Sequence, residues 1–413
     1  MVATLEDESR CTPMLRCLAC GSGSLVPYLD LGRQPLANDV HDGTIELAKF
    51  PLGLNRCVDC YHSQLTHAVD PDLLFRDYSY VSGTSNTLSA YFDDFVADTE
   101  AHFDFAPLSV MDIAGNDGTL LSKFAAHGHR VLNVDPAANL VATAEANGVP
   151  TICDYWDSDI ARTFDVQFDV VVAMNVLGHV SDPLDFLVGC REVLTRDGCI
   201  YIQTSQAEMC ETGQLDAVYS EHASYFTARS FLHLADRAGL VVQDVRKVPV
   251  HGVSYLWRLG LSGERWQSVW DLLQYEVVAG YYTDQTYRDF GDKAERAANF
   301  LYQVTDEYRD AGYAVVGYGA AAKGNVMLSF ADVDLDFIVD ENPLKIGLLT
   351  PGQDISIVGI DALSDIDEPL CMVVLCWNFY REVTDRVQNL RQRSDDVFVR
   401  TFPSPHVEAA WQQ

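Results

Sequence analysis

Positive charge is what this chain has least of. Its 413 residues carry 28 lysines and arginines against 60 aspartates and glutamates, a formal net charge of -32. Only six of the cations are lysines, against 22 arginines, and no basic cluster occurs. Affinity for nucleic acid comes mainly from Lys and Arg on phosphates, so a nucleic-acid partner is excluded. No run of 18 apolar residues exists, so no membrane span and no membrane partner are expected. The opening MVATLEDESR is acidic and has no apolar h-region, which predicts no secretory leader. Internal repeats and low-complexity stretches are also missing. The acidic residues are spread along the chain rather than gathered in a tail. That pattern reads as a solvated surface suited to high salt, where screening relieves self-repulsion, and it carries no information about a reaction.

What is present is more specific. The length allows two or three domains, and a hydrophobic content of 48% supports sizeable cores. Cys17 and Cys20, then Cys57 and Cys60, form two C-x-x-C pairs separated by 36 residues. Four thiolates so spaced can enclose one zinc ion tetrahedrally, and a site closed in this way is structural. Four unrelated reduced thiols are the plainer reading. The other seven cysteines (Cys11, Cys153, Cys190, Cys199, Cys210, Cys371, Cys376) read as mostly buried thiols in a reducing compartment, and a cytoplasmic location is expected.

Residues 11 to about 75 read as a compact metal-stapled unit of short strands and turns. A polar aromatic stretch, DYSYVSGTSNTL, and a helical pattern, SAYFDDFVADTEAHF, follow. Strand and helix signals then alternate: SVMDIAG, LLSKFAAHG, RVLNVDP, LVATAEANG, FDVVVAMNVLGHV, a helix PLDFLVGCREVLTRDG ending at Gly198, and a strand CIYIQTS. Such alternation predicts a parallel sheet. Residues from about Gly263 to Ala311 read as mostly helical, with Trp266, Trp270, Leu273 and Tyr275 at helical spacing. A second alternation begins at AVVGYGAAAKGN and continues through DFIVDENP and MVVLCWN. The expected fold is α/β: a small zinc-binding module (1–75), a first Rossmann-like α/β domain (76–248) and a second Rossmann-like α/β domain (249–413).

The loop Asp112-Ile-Ala114-Gly115-Asn116-Asp-Gly118 follows a strand and opens a helix. Its glycines are expected to let the backbone approach a ligand. Asp135 lies twenty residues past Gly115, where an acid can accept both ribose hydroxyls. That spacing fits NAD or S-adenosylmethionine (SAM). The loop lacks G-x-G-x-x-G, and Asp112 suits the amino-acid end of SAM, where no pyrophosphate has to be cradled. Asp154 is expected at the adenine amine and Asn175 near the methyl-bearing end. Tyr219-Ser-Glu221-His222 offers a histidine base held beside a carboxylate and a phenol. A Glu-His pair is otherwise a surface or structural group. His179 caps a helix or faces a substrate. Gly317-Tyr318-Gly-Ala-Ala-Ala-Lys323-Gly324-Asn325 is a second phosphate-type turn, with Asp340 21 residues after Gly319. An ordinary tight turn is the alternative there.

These motifs, in this order and over nearly the whole chain, resemble the sugar C-methyltransferases of bacterial deoxysugar pathways. DIAGNDGTLL, NVLGHVSDP, YSEHASYFT and GYGAAAKGN with FIVDENPLKIGLLTPG are similar to that family's landmarks. Ala114 is a departure, since a glycine commonly stands there. The resemblance implies methylation at C3 of a nucleotide-linked 4-keto deoxysugar, with SAM as methyl donor and a structural zinc. It makes His222 the base, with Tyr219 and Glu221 beside it, Tyr80 on the substrate side and His179 near the reacting carbon. It gives the C-terminal domain (Tyr318, Lys323, Asn325, Asp340) the nucleotide, which is expected to be dTDP, with GDP and CDP as alternatives. A monomer is expected. The competing readings are an O- or N-methyltransferase on a nucleotide sugar or other small metabolite, and a zinc-ribbon regulator that retains the fold.

Overall fold

A computed structural model describes residues 2–78, 80–84, 86–104, 107–205, 209–250 and 253–410. Ser79 and Ser85, inside the aromatic stretch, lie outside the described residues. The N-terminal unit is built on β1 (Cys11–Pro13), β2 (Leu25–Gln34), β3 (Phe50–Cys57), β4 (Ser63–Leu65) and β5 (His67–Val69). β2, β3 and β4 form an antiparallel sheet, and β1 pairs with β5. The turn after each cysteine pair closes with a residue in the left-handed region, Gly21 (φ 79°) and Tyr61 (φ 58°). Each turn is sealed by backbone bonds back to Cys17 and Cys57.

The second sheet contains β6 (Ser109–Ile113), β7 (Arg130–Val134), β8 (Thr151–Ile152), β9 (Phe168–Met174) and β10 (Leu194–Thr204). Between β10 and the next sheet member, β11 (Ser224–Tyr225) leaves this unit and pairs antiparallel with β4 of the N-terminal unit. β12 (Val241–Val248) and β13 (Ser254–Gly260) return and complete a seven-stranded order β8-β7-β6-β9-β10-β13-β12. β6 is buried at all five positions and β9 at most of its seven, as expected for parallel strands covered on both faces.

Two expectations need correction here. The helix beginning at Pro183 ends at Glu192 rather than Gly198. Val193 and Leu194 are fully buried, Leu194 pairs with Phe168, and the chain bulges before pairing resumes at Cys199. β-branched and apolar side chains facing a core favour this extended form over another helical turn. The sheet is also mixed rather than all parallel, because β13 runs antiparallel to both β10 and β12. The expected boundary at 248/249 falls inside that hairpin, so hydrogen bonding keeps Ser254–Gly260 in this sheet.

Helices Gln267–Val278 and Asp284–Asp310 follow. Trp266 and Trp270 point outward, at 44% and 50% exposure, while Val269 and Leu272 face inward. The last sheet comprises β14 (Ala314–Tyr318), β15 (Ile338–Val339), β16 (Ile357–Val358), β17 (Leu370–Val374), β18 (Val397–Arg400) and β19 (His406–Ala409), in the order β16-β15-β14-β17-β18-β19. The first five are parallel and β19 is antiparallel. Both large sheets therefore run 3-2-1-4-5 in their own strand order. Each has a switch point where connections diverge, between β6 and β9 and between β14 and β17. Open α/β sheets bind ligands outside the carboxyl ends of the strands at such points. The N-terminal unit shares one core with the last unit: Leu29, Leu52 and Leu65 pack with Phe290, Leu301 and Val315.

Candidate active site

A cavity of about 910 Å³ opens at the junction of all three units, near the upper end of the usual range for small-molecule sites. Ala114, Asn116, Asp135 and Asn175 line it from the first switch point. Ala320–Lys323 and Asn378 line it from the second. Asn38 and Val40 of the N-terminal unit and the segment Tyr219–Ala223 close it between them.

In the first half, the loop after β6 is shaped by its own side chains. Ala114 and Asn116 take left-handed backbone (φ 55° and 57°). A Cβ on Gly115 would lie 2.7 Å from Asn133 Oδ1 and 2.8 Å from Asp112 Oδ2. The glycine therefore makes room for protein groups rather than for a ligand, and Gly115 and Gly118 are not on the cavity wall. Asp135 accepts from the backbone N–H groups of Asn116 and Ala137, both at 2.8 Å, and burial raises its pKa. Asp112 is buried and its pKa is raised, first by burial and then by Asp135. Its Oδ1 and the Oδ1 of Asn175 are buried without a hydrogen-bond partner. Two orphaned acceptors, Asn175 on the cavity wall and Asp112 behind it, fit a site for the ammonium group and other donors of SAM, since buried acceptors are normally paired. Asp154 is exposed and off the wall, with Oδ1 bonded to the N–H of Tyr155; Tyr155, Trp156 and Asp157 stand at the cavity instead.

The segment 80–83 is strapped across this loop. Asn116 donates from Nδ2 to the Tyr80 carbonyl (3.0 Å) and accepts from the Ser82 N–H at Oδ1 (2.9 Å), while Asp117 accepts from the Gly83 N–H (2.9 Å). Tyr80 is 41% exposed at the rim. Tyr78 also lines the cavity, and its phenol is pushed well above its ordinary value, first by burial and then by Glu221. Sequence reasoning passed over Tyr78, because only its burial and neighbours distinguish it from Tyr80.

In the middle, His222 Nδ1 lies 2.8 Å from the carbonyl of Ala217. A carbonyl accepts only, so Nδ1 carries a proton, and in the neutral imidazole the lone pair is on Nε2. The ring packs at a 40° tilt against Tyr219 (centroids 4.0 Å) and stacks on His179 (5.0 Å), and His179 in turn stacks on Phe75 (5.7 Å). The imidazole is thus oriented by a backbone carbonyl. Glu221 instead accepts from Asn38 Nδ2 at 2.6 Å, and burial pushes its pKa up to about 7. Tyr219 is held protonated well above its ordinary range, chiefly by burial.

The far half contains two of the six lysines. Lys323 and Lys345 are the cations of lysine or arginine type on the wall among the described residues. Lys345 donates to the Ala320 carbonyl at 2.6 Å, and burial lowers its pKa. The backbone turn at Ala320–Ala322 opens the ten-residue helix Ala322–Ala331. The other residues expected here lie behind the wall. Asp340 accepts from the N–H groups of Ala320 and Asn342, both at 2.8 Å, Tyr318 donates to Glu341, and Asn325 donates to the Ala37 carbonyl at 2.8 Å. They shape the turn, while Asn342 and Lys345 reach the cavity. The scarcity of lysine was the signal that could have flagged Lys345.

Away from the cavity, the Sγ atoms of Cys17, Cys20, Cys57 and Cys60 all lie within 4.8 Å of one another. The pairs Cys17–Cys60 and Cys20–Cys57 are each 3.5 Å apart. Zn–S bonds of ≈2.3 Å set tetrahedron edges of about 3.8 Å, so the four fit zinc with no position left open.

Three family models match in order. Residues 17–75 match one described as "Putative zinc binding domain", 86–245 a methyltransferase domain, and 249–403 a C-methyltransferase C-terminal domain. The C-methyltransferase NovU of Streptomyces niveus is 27% identical over 412 residues, covering 96% of this chain and 98% of its own. A ubiquinone biosynthesis O-methyltransferase of Cereibacter sphaeroides is 26% identical over 40% of this chain and 73% of its own. Magnesium protoporphyrin IX methyltransferase from Synechocystis PCC 6803, solved with bound SAM, aligns over 42% of this chain and 79% of its own, at 14% identity and a TM-score of 0.33. No described helix is long and apolar enough to cross a membrane. The three matched domains in order and the end-to-end similarity to a C-methyltransferase are those of a SAM-dependent C-methyltransferase with an N-terminal zinc-binding domain.

Proposed function

We propose that the chain methylates C3 of a nucleotide-linked 4-keto deoxysugar. The observation that carries this reading is the shared cavity: the carboxyl ends of two Rossmann-like sheets face it, and His222 lies between them. Ala114, Asn116, Asp135 and Asn175 hold SAM, with Asp112 behind them. When bound there, SAM supplies an electrophilic methyl group. Lys323, Lys345 and the Ala320–Ala322 turn hold the diphosphate, which a chain of net charge -32 must bind with local cations and backbone donors. The sugar then spans the middle, against His222.

A hydrogen on the carbon beside a ketone is removable because the resulting enolate is delocalised. His222 Nε2 takes the C3 proton. Tyr219, Tyr78 and Tyr80 are phenols whose pKa is raised, so each keeps its proton and can donate to the C4 oxygen as charge grows there. Methylation at oxygen or nitrogen is the competing reading, which the O-methyltransferase relatives favour. They cover about 40% of this chain, against 96% for the C-methyltransferase relative.

The test uses a panel of dTDP-, GDP- and CDP-linked 4-keto sugars. Mass spectrometry should find a carbon-bound methyl on one of them. In heavy water, with S-adenosylhomocysteine replacing SAM, the same sugar should exchange its C3 proton for deuterium. A methyl found on oxygen, with no exchange at C3, would overturn the assignment.

A further inference from the structure

Asp216 is a buried charged group outside the cavity wall. It is 1% exposed and lies in the turn Leu215–Ala217. Its Oδ2 accepts from the indole N–H of Trp377 at 2.7 Å, and its Oδ1 has no hydrogen-bond partner. Burial raises its pKa, and Lys323 is the leading opposing influence. The Lys323 ammonium also stands 5.5 Å from the Trp377 ring centroid. Trp377 and Lys323 belong to the C-terminal unit, whereas Asp216 lies on the segment that follows β10. The turn packs against the helix Ala322–Ala331, which carries Lys323. The next residue, Ala217, supplies the carbonyl that accepts from both His222 Nδ1 (2.8 Å) and the Tyr225 hydroxyl (3.1 Å).

A buried carboxylate with one unpaired oxygen is costly, and such groups are uncommon without a role. This one sits one residue from the carbonyl that fixes the His222 tautomer, and it bonds across to the unit that carries Lys323. We infer that Asp216 is a positioning residue: through Trp377 it fixes the Leu215–Ala217 turn to the C-terminal unit, so that the Ala217 carbonyl aims His222 within the same frame that holds the anionic end of the substrate. Asp216 does not line the cavity, so it acts through Ala217 and Trp377. The inference rests on His222 as the base and goes beyond it by naming what aligns that base.

The experiment separates this from the substrate assignment by reading the imidazole directly. In ¹⁵N-histidine-labelled full-length protein without ligand, the His222 Nδ1–H resonance is identified by its loss in His222→Asn. Its exchange with water should be at least about tenfold faster in Trp377→Phe and Asp216→Ala, the scale set by one lost buried hydrogen bond. Asp216→Asn can still accept from the indole and should retain wild-type exchange. With whichever sugar the wild type turns over, Trp377→Phe should lower kcat by about tenfold or more while KM and SAM affinity stay within about threefold, because only the base is misaligned. Unchanged exchange in Trp377→Phe would overturn the inference whatever the substrate proves to be. So would a KM effect with normal kcat, because Trp377 would then act only in binding. Trp377→Phe loses one N–H from a partly exposed side chain, so it remains the deciding variant if Asp216→Ala fails to fold. Failure of every sugar in the panel would remove the substrate reading and leave the exchange result to decide the positioning role.

Discussion

The proposed base, His222, is oriented by a main-chain group: its Nδ1 lies 2.8 Å from the Ala217 carbonyl. From the sequence, Glu221 could either orient the imidazole or raise its basicity; in the structure the imidazole bonds the Ala217 carbonyl, which any residue at 217 would provide. Backbone acceptors leave no mark in composition or spacing. His222→Asn should retain SAM affinity yet lose on the order of 10²–10⁴ in turnover, the usual range for a positioned acid–base group; normal turnover in that variant would remove the role. Glu221 gives a separate test through stability. Its folded pKa of about 7 lies above the ordinary 4.5, because burial disfavours the charge. Below about pH 4.5 folded and unfolded states are both protonated and nothing is lost. Between about pH 4.5 and 7 only the unfolded state ionises, so about 3 kcal/mol of stability drains away, and the loss is complete once pH has risen through about 7 and the folded state carries the buried charge. Glu221→Gln avoids this. It should melt near wild type at pH 5 and several degrees higher at pH 8.5. Equal shifts at the two pH values would show that the carboxylate is not protonated in the fold.

At the scale of elements, the alternation of strands and helices exposed both α/β units, since buried parallel strands read as apolar runs. What it concealed was the interlocking. β11 is two residues long, too short to carry any period, yet it joins the segment after His222 to β4. His62, two residues past Cys60, is fully buried, and its Nε2 lies 3.2 Å from Ser224 Oγ. The zinc unit is therefore coupled to the proposed base although the metal lies off the cavity. Structural zinc contributes directly to folding, so its loss should loosen β4 and β11 together. Removal of zinc by a chelator, or Cys57→Ser, should lower turnover in step with zinc content while SAM binding to the first switch point declines less. Full turnover in zinc-free protein would refute the coupling. The hairpin β12–β13 was missed for a different reason: the alternation suggested that every strand in the sheet runs parallel, and nothing local marks a reversed edge.

For the molecule as a whole, net charge was plain from the composition, but where it matters depends on the fold. A charge of -32 creates a repulsive field for a nucleoside diphosphate approaching from solvent and an attractive one for cationic SAM. Lys323 and Lys345 act only at contact range, inside the cavity. The Debye length falls from ≈10 Å at 0.1 M salt to about 3 Å at 1 M, so added salt removes the long-range field and leaves the buried contacts largely intact. The two ligands should therefore respond in opposite directions. Raising salt from about 0.1 M to 1 M should lower KM for the proposed nucleotide-sugar substrate and weaken SAM binding, each by severalfold, with both effects residing mainly in association rates. Stopped-flow association of each ligand across that range checks this. The same screening should raise the melting temperature, because self-repulsion among 60 acidic side chains opposes the compact state. A nucleotide sugar that binds more weakly as salt rises would mean that its approach is governed by a local positive field, and the distributed acidity would then have no part in substrate capture.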